Sequence, residues 1–225
     1  MKTSANIKEI FTSVQGEGLY IGFNQLFIRF SGCNLHCAYC DTNHEDDAIC
    51  YTPLALYEEI SRFDAEKIHS VSLTGGEPLL HTGFLLEFLP MVNQKIYLET
   101  NGTLPEAMAK TAKYIDIAAV DIKLNSVSNQ GNLFATHNKF IEIAKKNNVE
   151  TFVKVVFDGA LTGDEIKKCA EICRNNDVPL VLQPVMIDNK LTLSEIELND
   201  ILNEFLNYYQ NVRLIPQVHK FLNIR

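Results

Sequence analysis

No stretch of this chain stays apolar for the roughly 18 residues that a membrane-crossing helix needs. The opening residues, MKTSANIKEIFTS, lack an apolar centre and a small-residue cleavage site, so no secretory signal is expected. Basic blocks are absent too. With 20 Lys and Arg against 28 Asp and Glu, the formal net charge is −8, which argues against nucleic acid as a direct partner and favours a small molecule. No linker, low-complexity tract or repeat divides the sequence, so residues 1–225 are expected to form one domain around one core. A hydrophobic content of 46% suits a soluble globular protein. Six cysteines without a signal do not suggest a disulfide scaffold. They fit a reducing cytoplasm in which thiolates stay available for metal.

Three of those cysteines, Cys33, Cys37 and Cys40, stand together in SGCNLHCAYCDT. Structural zinc takes four protein ligands, and so does a fully protein-ligated iron–sulfur cube. Three thiolates hold a four-iron cube by three corners and leave one iron open. That is what a radical S-adenosylmethionine enzyme needs, and the C-x3-C-x2-C spacing, with Tyr39 before its last cysteine, resembles that superfamily's signature. A zinc site completed by His36, His44 or Cys50 is the competing reading. Cys169 and Cys173, at i and i+4 on one helix, lack two further partners and read as core residues.

Along the chain, apolar strand-like runs alternate with amphipathic helices, the pattern of βα units on a parallel sheet. Strands are expected at 25–30, 69–73, 95–98, 115–120, 151–157, 180–183 and 212–215. Helices are expected at 53–63, 79–92, 105–113, 134–146, 162–175 and 193–208. That gives about six βα repeats, fewer than the eight of a closed barrel, and predicts an open, partial βα barrel.

Active sites of such folds sit in the loops after the strands, and the motifs fall there. The cysteine loop follows the first predicted strand. Thr74-Gly75-Gly76-Glu77-Pro78 follows the second, Glu99-Thr100-Asn101-Gly102-Thr103 the third, and Asp121-Ile122-Lys123 the fourth. The last two suit contacts to the ribose and carboxylate of a cofactor, although Asp121 and Lys123 also fit a solvated surface pair. Gln183, in Leu182-Gln183-Pro184-Val185, suits an adenine or ribose contact, or satisfies backbone at the barrel rim. Arg29, inside the apolar run LFIRF, is costly to bury unless it meets an anion; otherwise it snorkels to water.

Taken together, SVQGEG (13–18), the FIRF-SGC junction, the CDT triplet (40–42), TGGEP (74–78) and the terminal VRLIPQVHKFLNIR resemble the 7-carboxy-7-deazaguanine synthase family of radical S-adenosylmethionine enzymes, from about Glu9 onward. The resemblance implies that Cys33, Cys37 and Cys40 hold a 4Fe-4S cluster whose open iron binds S-adenosylmethionine. It implies a 5′-deoxyadenosyl radical that takes hydrogen from C6 of 6-carboxy-5,6,7,8-tetrahydropterin, followed by ring contraction and loss of ammonia. Tyr39, Asp41, Gly76, Glu77, Asp121, Lys123, Gln183 and Pro184 are then expected around the cofactor. Val14, Gln15 and Gly16 are expected to cradle the pterin through backbone groups, with Arg29 on its carboxylate and Thr74 as a further contact. Mg2+ is expected on Thr42. Partners implied are a reducing protein such as flavodoxin or ferredoxin, and a second copy in a homodimer. His219 and Lys220 match the family's C-terminal motif without an assigned role. Competing classes are a glycyl-radical activating enzyme, which shares the cysteine and GGEP motifs, and a non-catalytic metal-binding module. The SVQGEG segment and CDT triplet favour the synthase family.

Overall fold

The computed structural model describes residues 3–38, 40 and 48–224. Strand β1 (Ala5–Val14) runs antiparallel to β2 (Asn24–Phe30), and β3 (Ile49–Tyr51) pairs with the outer side of β1. Next come β4 (Ser70–Gly75), β5 (Ile96–Thr100), β6 (Ile117–Ile122), β7 (Glu150–Phe157) and β8 (Leu180–Pro184). A hairpin of β9 (Met186–Ile187) and β10 (Lys190–Leu191) precedes β11 (Val212–Leu214). One nine-stranded sheet runs in the order β11-β8-β7-β6-β5-β4-β2-β1-β3, parallel from β2 to β11. Each parallel strand lies beside its predecessor in sequence, as in a barrel, but β11 and β3 remain edges. This is the expected open βα barrel, with six strand-to-helix steps, from β2, β4, β5, β6, β7 and β8.

The helices are α1 (Pro53–Ile60), α2 (Thr82–Phe88), α3 (Pro105–Thr111), α4 (Asn125–Ser128), α5 (Phe134–Lys146), α6 (Gly163–Asn176), α7 (Glu195–Leu206) and α8 (Val218–Leu222). Their buried stripes follow the helical repeat. In α5, His137, Phe140, Ile141 and Ala144 face inward, and in α6, Ile166, Cys169, Ala170 and Cys173 do. Thr162 and Ser194 start α6 and α7 with reciprocal capping boxes to Glu165 and Glu197. Full burial of side chains such as Leu85, Phe88, Phe140 and Phe205 contributes about 1.5–3 kcal/mol each. Among the described residues no helix is long and apolar enough to cross a membrane.

Two expectations need correction. The helix expected over 79–92 is cut into a 3-10 turn at Pro78–His81, α2, and a second 3-10 turn at Leu89–Met91. Pro90 has no N–H to continue the α ladder, so the chain tightens there. The N-terminal segment, for which no strand was expected, supplies the whole of β1. Only its first residues alternate buried and exposed, and Lys8 and Glu9 interrupt the apolar pattern.

Candidate active site

A strand turns successive side chains to opposite faces, and here that repeat builds the site. Leu98, Val120, Val153, Val155, Leu180 and Leu182 point outward into the core beneath the helices. Tyr97, Ala119, Phe152 and Val181, on the other face, pack with Leu19, Tyr20 and Ile215 toward the N-terminal ends of the strands. The Tyr20 ring meets Tyr97 edge-on at 5.5 Å. Two residues further along the same strands, Glu99, Asp121, Lys154 and Gln183 line a cavity of about 350 Å³. So the charges that interrupt these apolar strands all face one space.

Lys154 carries an ion pair with Glu17 and lies 3.6 Å from Asp121, which Lys123 holds at 2.8 Å. Gln217 donates its Nε2–H to Glu17 at 2.7 Å. Burial opposes charge on Glu17, but Lys154, Gln217 and the field of His219 outweigh it and hold the carboxyl down at about 2. Burial likewise opposes charge on Lys154, and the surrounding Glu17, Asp121 and Glu99 overcome it and push its pKa up. Glu99 accepts from three neutral donors, Gln15 Nε2 at 2.9 Å, Thr74 Oγ1 at 3.0 Å and Ser72 Oγ at 3.4 Å. Gln15 also bonds Gln25, which reaches Ser70.

The thiols of Cys33, Cys37 and Cys40 line the same cavity. Burial pushes the Cys33 and Cys37 thiols up; for Cys37, Lys123 opposes this while Asp121, Cys33 and Cys40 add to it. No three His, Cys, Asp or Glu side chains among the described residues converge on a single ion. A cube places each cysteine on its own iron, so its thiolates need not converge.

Close backbone contact fixes the cysteine loop. Gly76 N–H donates to Phe30 O at 3.0 Å and Glu77 N–H to Gly32 O at 2.9 Å. Gly75 has φ +117°, and a Cβ on Gly76 would sit 1.8 Å from Gly32 O. Only glycine fits there. Glu77, fully buried, accepts from Leu79 N (3.0 Å), Thr100 Oγ1 (3.0 Å) and Asn101 N (2.8 Å). Burial outweighs those donors and pushes its carboxyl up to about 7.

Of the residues expected at the site, Val14, Gln15, Gly16, Arg29, Thr74, Gly76, Asp121, Lys123 and Gln183 line the cavity with the three cysteines. Tyr39, Asp41 and Thr42 lie outside the described residues. Glu77 and Pro184 do not line it. Glu77 turns inward to tie the loops after β4 and β5, and Pro184 continues β8 while its neighbours Gln183 and Val185 face the cavity. In the backbone of this segment, Gln15 N–H donates to Phe23 O, the Gln15 carbonyl accepts from Gly22, and Gly16 O accepts from Val218. Arg29 Nε donates to Glu9 Oε2 at 3.0 Å. His219 and Lys220 also line the cavity, and a Cβ on Gly16 would meet the His219 ring at 2.5 Å, so the α8 segment packs against the Gly16 turn. Glu17, Glu99, Asn101 and Lys154 are the site residues whose roles the motifs did not reveal. A charge at an alternate position of an apolar strand is the signal for Glu99 and Lys154.

The model of the radical SAM superfamily matches residues 27–197. A 7-carboxy-7-deazaguanine synthase of Geobacter sulfurreducens is 35% identical over 98% of both chains. One of Archaeoglobus fulgidus is 37% identical over 98% of this chain and 99% of its own. The chain belongs to the 7-carboxy-7-deazaguanine synthase family. Its fold resembles the crystal structure of QueE from Escherichia coli, with a TM-score of 0.66 at 20% identity, covering 96% of this chain and 95% of that one.

Radical SAM enzymes work with a 4Fe-4S cluster and S-adenosylmethionine, and the residues present fit both. Three thiols on one loop match a cube held at three corners. Asp121 Oδ1 and Gln183 Oε1 are buried at the cavity without a hydrogen-bond partner among the described residues. Buried acceptors seek donors, and adenosylmethionine carries donors of the kind these two would take, an ammonium, ribose hydroxyls and an adenine amino group.

Proposed function

We propose that the protein converts 6-carboxy-5,6,7,8-tetrahydropterin to 7-carboxy-7-deazaguanine with loss of ammonia. The observation that carries this is near-full-length identity of 35–37% to proteins named for that product. The cavity suits the assignment, since it sets three thiols beside Arg29 and Glu99. When bound, the cluster and adenosylmethionine supply the 5′-deoxyadenosyl radical that takes the C6 hydrogen.

The chain's own residues bind, orient and exclude water. Arg29 has five N–H donors; with Nε on Glu9, others serve the substrate carboxylate. Glu99, held by neutral donors, offers a carboxylate to the adjacent N–H groups of the 2-amino-4-oxopyrimidine edge. Thr74, bonded to Glu99, adds a contact to the pterin. Val14, Gln15 and Gly16 line the cavity and cradle the pterin, and the Gln15 side chain steadies Glu99. Asp121 and Lys123 serve the ribose and carboxylate of adenosylmethionine, Gln183 the adenine, and Gly76 its backbone approach. Tyr39 and Asp41 are further cofactor contacts proposed on the family resemblance. So are Mg2+ on Thr42, a flavodoxin- or ferredoxin-like reductant, and a homodimer. A hard dication with one protein hydroxyl keeps water and substrate oxygens as its other ligands.

The test is anaerobic reconstitution, then incubation with adenosylmethionine, a reductant and the carboxy-tetrahydropterin. The deazapurine is expected, together with ammonia. Cleavage of adenosylmethionine without any deazapurine would sink the substrate assignment.

A further inference from the structure

We propose that Asn101 is a positioning residue of the iron–sulfur cluster, and that its side-chain N–H to Cys33 makes the cluster easier to reduce. The inference rests on the cluster reading above. Asn101 is 6% exposed, and every hydrogen-bonding group it has is placed. Its backbone N–H donates to Glu77 Oε2 at 2.8 Å, and its carbonyl oxygen lies 3.0 Å from His137 Nε2. The orientation of its amide follows from Thr103. Thr103 N–H, which can only donate, points at Asn101 Oδ1 at 3.0 Å, and the Thr103 hydroxyl bonds the same oxygen at 2.5 Å. The other end of the amide is therefore the NH2 group. It donates to Asn34 Oδ1 at 2.9 Å and to Cys33 Sγ at 3.7 Å.

The Leu35 backbone N–H also points at that sulfur, at 3.5 Å. A thiolate on iron carries negative charge, so both N–H···S bonds strengthen once Cys33 binds. Reduction adds an electron to the cluster and charge to its sulfurs. Donors aimed at those sulfurs stabilise the reduced form and raise the potential, as outer contacts do at metal centres generally. Glu77, the buried acid of the GGEP loop, thereby acts on the cluster at one remove. It fixes the backbone from which Asn101 reaches Cys33.

Asn101→Ser removes both amide N–H bonds, to Cys33 and to Asn34, while keeping the local turn. The Ser hydroxyl still accepts from Thr103 N–H in a local turn but is too short to reach Cys33. In wild type and in Asn101→Ser, the reconstituted cluster is titrated anaerobically by EPR, with iron content and apoprotein melting measured alongside. The expected result is a reduction equilibrium three- to tenfold less favourable, about 59 mV more negative at the tenfold end, with the apoprotein melting unchanged. Loss of iron from a variant whose apoprotein melts as wild type also supports the proposal. An unchanged potential with full iron overturns it. Asn101→Ala is the second variant; if neither variant folds, Asn101 serves the loop alone and the proposal is overturned as well. A wild-type protein that takes up no cluster defeats the cluster reading itself, which is a separate outcome.

Discussion

Lys154→Met should expose how the barrel interior tolerates its charges. Lys154 is the cation on Glu17, and the Glu17 side chain retains 20% of its accessible surface. Asp121 keeps Lys123 at 2.8 Å, so the variant strands chiefly Glu17. Glu17 titrates at about 2 in the fold against 4.5 ordinarily. At about 1.4 kcal/mol for each tenfold, that difference is worth about 3 kcal/mol, trimmed to about 2–3 by residual solvent. Breaking a buried pair by removing one partner costs about 3–5 kcal/mol, in line with this. For a chain of this size, each kcal/mol moves Tm by about 2–4 °C, so the apoprotein should melt about 5–10 °C lower at pH 7–8.

The pH dependence carries the sign. In wild type the folded pKa of Glu17 is depressed. Its contribution is fully present above 4.5 and is lost as pH falls through about 2. In Lys154→Met, burial without the cation pushes Glu17 the other way, so the variant regains stability as the carboxyl protonates. The gap between the two proteins is therefore widest at pH 8 and closes on acidification. Adding Glu17→Gln should recover most of the loss and flatten the gap. Anaerobic apoprotein melts from pH 8 to pH 4 measure this. A gap of equal size at both ends, or a double variant no better than the single, would refute the reasoning.

Any one of Cys33→Ala, Cys37→Ala or Cys40→Ala should abolish iron binding and the absorbance near 400 nm, whereas Cys169→Ala with Cys173→Ala, both buried in α6, should keep full iron. Arg29→Met should raise the KM for the carboxylated pterin about tenfold to a hundredfold, the worth of a charge-assisted bond of about 1.5–3 kcal/mol. Uncoupled cleavage of adenosylmethionine should persist in it, and an unchanged KM would leave Arg29 to Glu9 alone. Thr42→Val should blunt the response of product formation to added magnesium and Thr42→Ser should not; an unaltered titration in the Val variant removes the ligand assignment. Gly76→Ala, with its Cβ 1.8 Å from Gly32 O, should lower apoprotein stability by about 1–3 kcal/mol. An unchanged Tm would mean the two loops part freely.

Much of the fold was legible because the parallel strands are largely buried and read as mostly apolar runs between amphipathic helices. Helix α5 lies where its pattern predicts, over Phe134–Lys146, and β8 differs by one residue. β1 was not legible. It is an antiparallel flank strand with a register irregularity between Ile7 and Glu9, and half-exposed residues blur its two-residue repeat. The site was legible where chemistry demands a residue type at a fixed spacing, as at Cys33, Cys37 and Cys40. Glu17 escaped because its partner, Lys154, is 137 residues away, a distance that no local pattern spans.

The GGEP loop shows how one motif carries two kinds of constraint. The family resemblance implies a cofactor contact at Gly76, and Gly75 and Gly76 do line the cavity. Yet a side chain at either position would strike the β2 end or the cysteine loop before it reached any ligand: at Gly75 the Phe30 carbonyl at 2.2 Å, at Gly76 that of Gly32 at 1.8 Å. Their first physical task is to let the loop after β4 bond directly to the loop that carries Cys33. Glu77 extends the same join from the other side, to Thr100 at the end of β5 and Asn101 just beyond it. Three consecutive βα loops are thus fastened around Cys33, the first two backbone to backbone and the third through the Glu77 carboxylate. The motif's residue types therefore follow from the geometry of the cysteine loop as much as from the cofactor it faces.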